Sequence, residues 1–248
     1  MTDRIRVCLS CDDLGMNESI NQAALDLAER KMLGAASVLV DYGQDDFLSG
    51  LRKNYPTLDL GLHFTLTRGD AVPDYIKLMI KLLFRGFTSS EVKGELRAQL
   101  KKLHDVGVKP FFLDGHYHIH IFPCISPVVE KFSLENKLFV RVPYDISPFF
   151  SLKKSLYNYL CSSSVILPFF GVGLMGRKMT VKNVKKQIQY LKEHNIKRAI
   201  WMIHPGMGGH SDSDLIHKER RMEYDFLIRE EAFLAESFEF VKMSSLVE

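Results

Sequence analysis

Ile5-Arg6-Val7-Cys8-Leu9-Ser10-Cys11-Asp12-Asp13-Leu14-Gly15 joins an apolar run to two adjacent carboxylates and a glycine. Residues 5–9 read as a buried strand, and the acidic pair stands at its end. Neighbouring carboxylates repel each other, which raises one pKa and weakens a fold unless a cation lies between them or the two groups do different work. A metal site is the first expectation, although an acidic pair in a solvated turn or cap, with Asn17 capping the helix that follows, would show the same residues.

Working outward, short β-rich runs alternate with helical patterns, which argues for βα units around a parallel sheet. The runs end near Ser10, Val40, Phe64, Gly115, Val142, Met175, His204 and Val241. Seven or eight parallel strands predict an α/β fold of the TIM-barrel-like (β/α) kind. Ile20, Ala23, Ala24 and Leu27 mark one helical face, and Leu96, Leu100 and Leu103 another after a Thr88-Ser89-Ser90-Glu91 capping box. Val181, Val184, Ile188 and Leu191 mark a third, and Asp214 to Glu236 reads as one long helix with Leu215, Met222, Phe226, Phe233 and Leu234 inside.

A length of 248 residues suits one large domain over 1–248 with a substantial core. Basic residues exceed acidic ones by only three, so the charge balance gives no nucleic-acid signature. Cys8, Cys11, Cys124 and Cys161 lack the density of a disulfide-stapled secreted domain. Met1-Thr2-Asp3-Arg4 runs into a strand without an apolar leader, so a reducing, cytoplasmic location is expected.

Every candidate for chemistry falls at the end of a predicted strand, where the βα loops of a barrel assemble an active site. Asp12 and Asp13 follow the first; His63 closes Leu58-Asp59-Leu60-Gly61-Leu62-His63-Phe64; Asp114 and His116 close Phe111-Phe112-Leu113-Asp114. Arg141 sits in Val140-Arg141-Val142-Pro143-Tyr144, and His204 closes Ile200-Trp201-Met202-Ile203-His204. A carboxylate and two neutral imidazoles leave open positions on a divalent ion, which can then bind water and polarise a carbonyl. The second carboxylate then serves as base, and His204 is the candidate to protonate a leaving nitrogen. His116-Tyr117-His118-Ile119-His120 would put three imidazoles on one face if extended. His118 and His120 are read as donors standing behind the ligands, or as a packed pair touching substrate, rather than as direct ligands. A core role for His63, a surface charge role for Arg141 and a plain turn at His204-Pro205-Gly206 each stand beside the functional reading.

Taken together, Cys11-Asp12-Asp13-Leu14-Gly15, Gly61-Leu62-His63-Phe64-Thr65-Leu66-Thr67, Leu113-Asp114-Gly115-His116-Tyr117-His118-Ile119-His120 and Ile203-His204-Pro205-Gly206 resemble the YdjC-like carbohydrate deacetylases over most of the chain. The resemblance implies a distorted (β/α) barrel and a divalent metal, Mg2+ or Zn2+. It also implies removal of acetyl groups from N-acetylglucosamine units of short oligosaccharides. By the same resemblance the ligands are Asp13, His63 and His116, with Asp12 as base and His204 as acid, and a homodimer is expected. The chain departs from the family pattern at Leu14, Gly115 and Tyr117, where phenylalanine, serine and histidine are usual, which leaves His116 as the favoured ligand of its segment. Arg141-Val142-Pro143-Tyr144 resembles the RxPY element of the more distant NodB-type polysaccharide deacetylases, in which the arginine orients the catalytic aspartate.

Two stretches suggest an alternative substrate. Residues 155–176 carry no charge but are interrupted by Asn158, Ser162, Ser163, Ser164, Pro168, Gly171 and Gly173, as in a buried strand with an apolar loop. Lys77, Lys81 and Arg85 lie on one helical line amid apolar neighbours. The alternatives are a deacetylase of lipid-linked amino sugars at a membrane surface and a catalytically silent sugar- or metal-binding protein. Retention of both Asp12 and His204 argues against the silent one. Iron and oxygen chemistry on two histidines and a carboxylate ranks low, because such sites usually ride a double-stranded β-helix.

Overall fold

The computed structural model describes residues 4–42, 45–67, 77–78, 80–81, 86–142, 169–170, 174–208 and 214–247. Its strands are β1 (Ile5–Leu14), β2 (Leu33–Val38), β3 (Asp59–Phe64), β4 (Phe112–Gly115), β5 (Phe139–Val140), β6 (Phe169–Phe170), β7 (Arg198–Ile203) and β8 (Phe238–Phe240). They form a parallel sheet in the order β5-β4-β3-β2-β1-β7-β6, with β8 against β1. The sheet curls into a half-barrel wrapped by helices, the α/β architecture expected from the alternating pattern.

β1 is the centre of this sheet. It pairs with β7 over Arg6–Cys11, with β8 over Ile5–Val7 and with β2 from Leu9 to Leu14, so β8 and β2 follow one another along the same edge. Gly34 makes room for that junction, because a Cβ there would lie 2.0 Å from the carbonyl oxygen of Val241. Covered on both edges and both faces, β1 is buried at every position but Arg6, which is why it reads as a continuous apolar run rather than an alternating one.

The helices are α1 (Glu18–Glu29), α2 (Asp45–Asn54), α3 (Ser89–Asp105), α4 (Ser126–Asn136), α5 (Val181–Glu193), α6 (His217–Arg229), α7 (Glu231–Ser237) and α8 (Ser244–Val247). Asn17 caps α1 by accepting from the Ile20 N–H at 3.0 Å, and Ile20, Ala23, Ala24 and Leu27 are buried as their spacing predicts. The capping box of Thr88 and Glu91 opens α3, which buries Leu96, Leu100 and Leu103. α5 buries Val184, Ile188 and Leu191, with Val181 half-buried.

The single helix expected over Asp214 to Glu236 is instead two, α6 and α7, separated at Glu230. Phe226 and Leu234 are buried as expected, but Leu215 is 54% exposed and Met222 41%. The inner face of α6 is Arg220, Glu223, Phe226 and Leu227. An apolar-periodicity reading assigns charged residues to water, so two charged residues turned inward rotate the expected face.

Where a strand is expected to end near Met175, the described strand is β6, which ends at Phe170, and a short 3-10 turn follows at Gly176–Lys178. Most of the apolar stretch 155–176, most of the basic segment 75–85, and Pro143, Tyr144 and Cys161 lie outside the described residues. Among the described residues no helix is long and apolar enough to cross a membrane.

Candidate metal centre and active site

The site begins with an irregularity in β1. Cys11 pairs with Ala36 and Leu14 with Val38, so three steps along β1 oppose two along β2, and Asp13 takes up the difference at φ 64°. In a regular strand Asp12 and Asp13 would point to opposite faces. The bulge brings both to one cavity. The turn that follows needs Gly15 at φ 90°, where a Cβ would lie 2.7 Å from the Leu39 carbonyl oxygen, and the Gly15 N–H donates to Asn21 Oδ1 at 2.8 Å.

Three strand ends converge on Asp13. Its Oδ1 lies 3.1 Å from His63 Nε2, at the end of β3, and 2.9 Å from His116 Nδ1, just past β4. One donor atom from each of Asp13, His63 and His116 lies within 4.8 Å of the others, all three residues being buried, so this cluster could hold a metal ion. His63 Nδ1 donates to Asp114 Oδ1 at 2.6 Å, which fixes the ring and turns Nε2 toward Asp13, the arrangement that orients a metal-binding imidazole. Burial disfavours the His63 imidazolium, but Asp114 and Asp13 outweigh it and raise the group to about 10. Burial likewise opposes ionisation of Asp13, yet Arg220, His116 and His63 hold it well below the usual carboxylate range.

The charge inventory fits a cation. The buried carboxylates of Asp12, Asp13, Asp114, Asp214 and Glu223 outnumber the buried guanidiniums of Arg141 and Arg220. The excess is negative, the sign that a bound cation offsets. A second acidic group, Asp12, His63 and Asp114, also has the spacing for a metal, but Arg141 sits within it.

Asp12 is clamped by Arg141, whose Nη2 donates to both carboxylate oxygens at 2.6 Å and also pairs with Asp114. Arg141 Nη1 donates to Ser10 Oγ at 3.0 Å, which locks the guanidinium in place. Across the cavity His204 Nε2 lies 3.9 Å from Asp12 Oδ2. Burial lowers the His204 imidazole against the pull of Asp12 and Asp13.

His116 to His120 is not extended. It forms a 3-10 turn with Tyr117 and His118 both left-handed, at φ 52° and 55°. The turn splits the three imidazoles. His116 faces Asp13; His118 lines the cavity; His120 turns back, its Nε2 donating to the Arg141 carbonyl at 3.0 Å. Burial pushes His118 down to about 4 and His120 to about 3. Gly115 accommodates the returning ring, since a Cβ there would lie 2.9 Å from His120 Nδ1.

The cavity measures about 320 Å³ and is lined by Asp12, Asp13, His63, Gly115, His116, Tyr117, His118, His204, Asp214, Leu215, Ile216 and Arg220. All six residues expected from the sequence therefore come together: five line it, and Arg141 lies behind Asp12. Sequence reasoning gave Asp114 no separate role and missed Arg220, Asp214 and Glu223, which stand in a charged segment that looks like a solvated helix.

Glu223 Oε2 accepts from the His204 backbone N–H at 2.7 Å. Burial raises its carboxyl to about 8, although that N–H and Arg220 favour the charged form. The folded state thus holds this proton more tightly than an unfolded chain with the ordinary value of 4.5. The contribution to stability is full below pH 4.5 and is lost as pH rises to about 8, at up to about 1.4 kcal/mol per pH unit. Glu223→Gln stays neutral and keeps an acceptor for His204, so it is expected to gain stability over the wild type between pH 5 and pH 8. Urea unfolding at those two pH values measures it, and an unchanged difference between the two proteins contradicts the account.

The sequence model of the YdjC-like protein family matches residues 6–235. A carbohydrate deacetylase of Brevibacillus brevis is 28% identical over 149 residues, covering 56% of this chain and 60% of that protein. One of Geobacillus stearothermophilus is 27% identical over 145 residues, covering 55% and 59%. The chain thus spans about 60% of the length of these curated relatives. Among solved structures, a provisionally named cellobiose-phosphate cleavage protein of Enterococcus faecalis V583 superimposes with a TM-score of 0.76 at 17% identity, covering 98% of this chain and 99% of that one. A peptidoglycan N-acetylglucosamine deacetylase gives 0.54 at 11% identity, covering 99% and 89%. At these identities the likeness is one of fold.

Proposed function

The chain belongs to the YdjC-like protein family, and we propose that it is a metal-dependent hydrolase that removes the N-acetyl group from an N-acetylglucosamine-type amino sugar or short oligosaccharide. The observation that carries this reading is the convergence of Asp13 Oδ1, His63 Nε2 and His116 Nδ1 in the cavity that also holds Asp12 and His204. The curated relatives named carbohydrate deacetylases support the reaction class.

In this reading Asp13, His63 and His116 hold one divalent ion, Mg2+ or Zn2+. Such an ion supplies Lewis-acid polarisation of the amide carbonyl and lowers the pKa of water. Asp12, aimed by Arg141, takes a proton from the attacking water. The leaving nitrogen needs a proton, because an expelled amide anion is far too basic. His204 starts uncharged, its imidazole being lowered by burial. The proton that reaches the nitrogen is therefore the one Asp12 accepts, handed across the 3.9 Å gap to His204. Glu223 fixes the backbone of His204 and so keeps the two groups in register.

Acetate release tests the reading. The full chain, supplied with Zn2+ or Mg2+, is expected to free acetate from N-acetylglucosamine or its short oligomers. A protein that binds the metal yet frees acetate from none of them would sink it.

A further inference from the structure

The two oxygens of Asp13 serve different neighbours. Oδ1 faces His63 and His116, whereas Oδ2 accepts from Arg220 Nη2 at 2.6 Å. Arg220 is buried, and its Nε lies 2.9 Å from Asp214 Oδ2. Its own carbonyl accepts from the Gly206 N–H at 3.2 Å, which straps α6 to the chain just past His204. The proton transfers assigned to Asp12 and His204 make no use of this guanidinium.

Resting on the ligand assignment just given, we propose that Arg220 is a positioning residue that reserves one oxygen of Asp13, limits that carboxylate to a single donor atom, and loosens the binding of a divalent ion, with Asp214 as the opposing charge. The geometric half of the argument is that Asp13 Oδ2 already has one lone pair engaged by a guanidinium, which makes it the weaker donor and favours ligation through Oδ1 alone. The coordination positions needed by water and by a substrate carbonyl therefore stay open. The electrostatic half is that a fixed positive charge one hydrogen bond from a ligand opposes a second cation. Asp214 moderates this, because it pairs with the same guanidinium through a different nitrogen from the one that meets Asp13.

The two halves predict opposite responses to two neutralising substitutions, which damage to the fold does not imitate. Arg220→Gln removes the positive charge and frees Oδ2, so zinc affinity is expected to rise roughly tenfold or more. Asp214→Asn removes the opposing negative charge, so affinity is expected to fall by about threefold or more. Arg220→Lys keeps the charge and is expected to stay within about threefold of the wild type. Zinc competition against a chromophoric chelator, on the full chain of each variant, reads all three without an activity assay. Unchanged or weaker binding in Arg220→Gln overturns the proposal, as does unchanged binding in Asp214→Asn, which decides the matter if Arg220→Gln does not fold. His63→Ala in the same assay separates the two layers of the argument: if it binds zinc like the wild type, the ligand assignment fails, whatever Arg220 does.

Discussion

Asp12→Asn is expected to keep its metal and to lose a hundredfold or more of its turnover, roughly the loss typical of removing a general base. The substitution preserves size and leaves Asp13, His63 and His116 untouched, so the proposed ligands remain as they are. What it removes is the group that can accept a proton beside the cavity. The new amide would also present an NH2 to the guanidinium that Asp12 now meets with two oxygens, at a cost to stability of about 1–3 kcal/mol. Circular dichroism and metal content therefore need to be measured beside acetate release. His204→Ala is expected to match the turnover loss while keeping the same metal content, because the proton path has Asp12 at one end and His204 at the other. Rates within tenfold of the wild type in both variants would remove the assigned mechanism, even with the family membership intact.

The parts of this site that were legible in the sequence are those placed by strand ends. His63, Asp114 and His204 follow apolar runs, and parallel strands of one sheet deliver their C-terminal residues to one rim. Asp12 and Asp13 were legible as an electrostatic anomaly, although the bulge that brings both to one cavity has no signature beyond the glycine after it. The turn at Tyr117 and His118 was illegible for a related reason. Alternation assumes extended backbone, and two consecutive left-handed residues have no glycine or asparagine to announce them. Arg220, Asp214 and Glu223 were illegible because burial of a charge depends on partners that can lie 207 positions away, as Asp13 does from Arg220, and local sequence carries no record of them. The polar spacing of α6 is the same whether its charged stripe meets water or a cluster of carboxylates.

His63→Ala is expected to abolish stoichiometric metal, and Asp114→Asn to weaken it without abolishing it. His63 contributes one of the two imidazoles in the cluster, and its loss leaves a carboxylate and a single ring nitrogen as protein donors. Asp13 and His116 alone would then have to hold the ion against the buried positive charge of Arg220. Asp114 acts one layer out. Its Oδ1 fixes the His63 ring at 2.6 Å, and loss of such an orienting partner typically costs roughly 10–100-fold in affinity rather than the site itself. Elemental analysis after dialysis separates the two: no retained metal in His63→Ala, partial retention in Asp114→Asn. Full occupancy in His63→Ala would move the centre elsewhere, and an Asp114→Asn protein as empty as His63→Ala would make Asp114 a ligand. The second outcome is physically credible only if Arg141 leaves the group formed by Asp12, His63 and Asp114, since its guanidinium now fills the position a cation would take there.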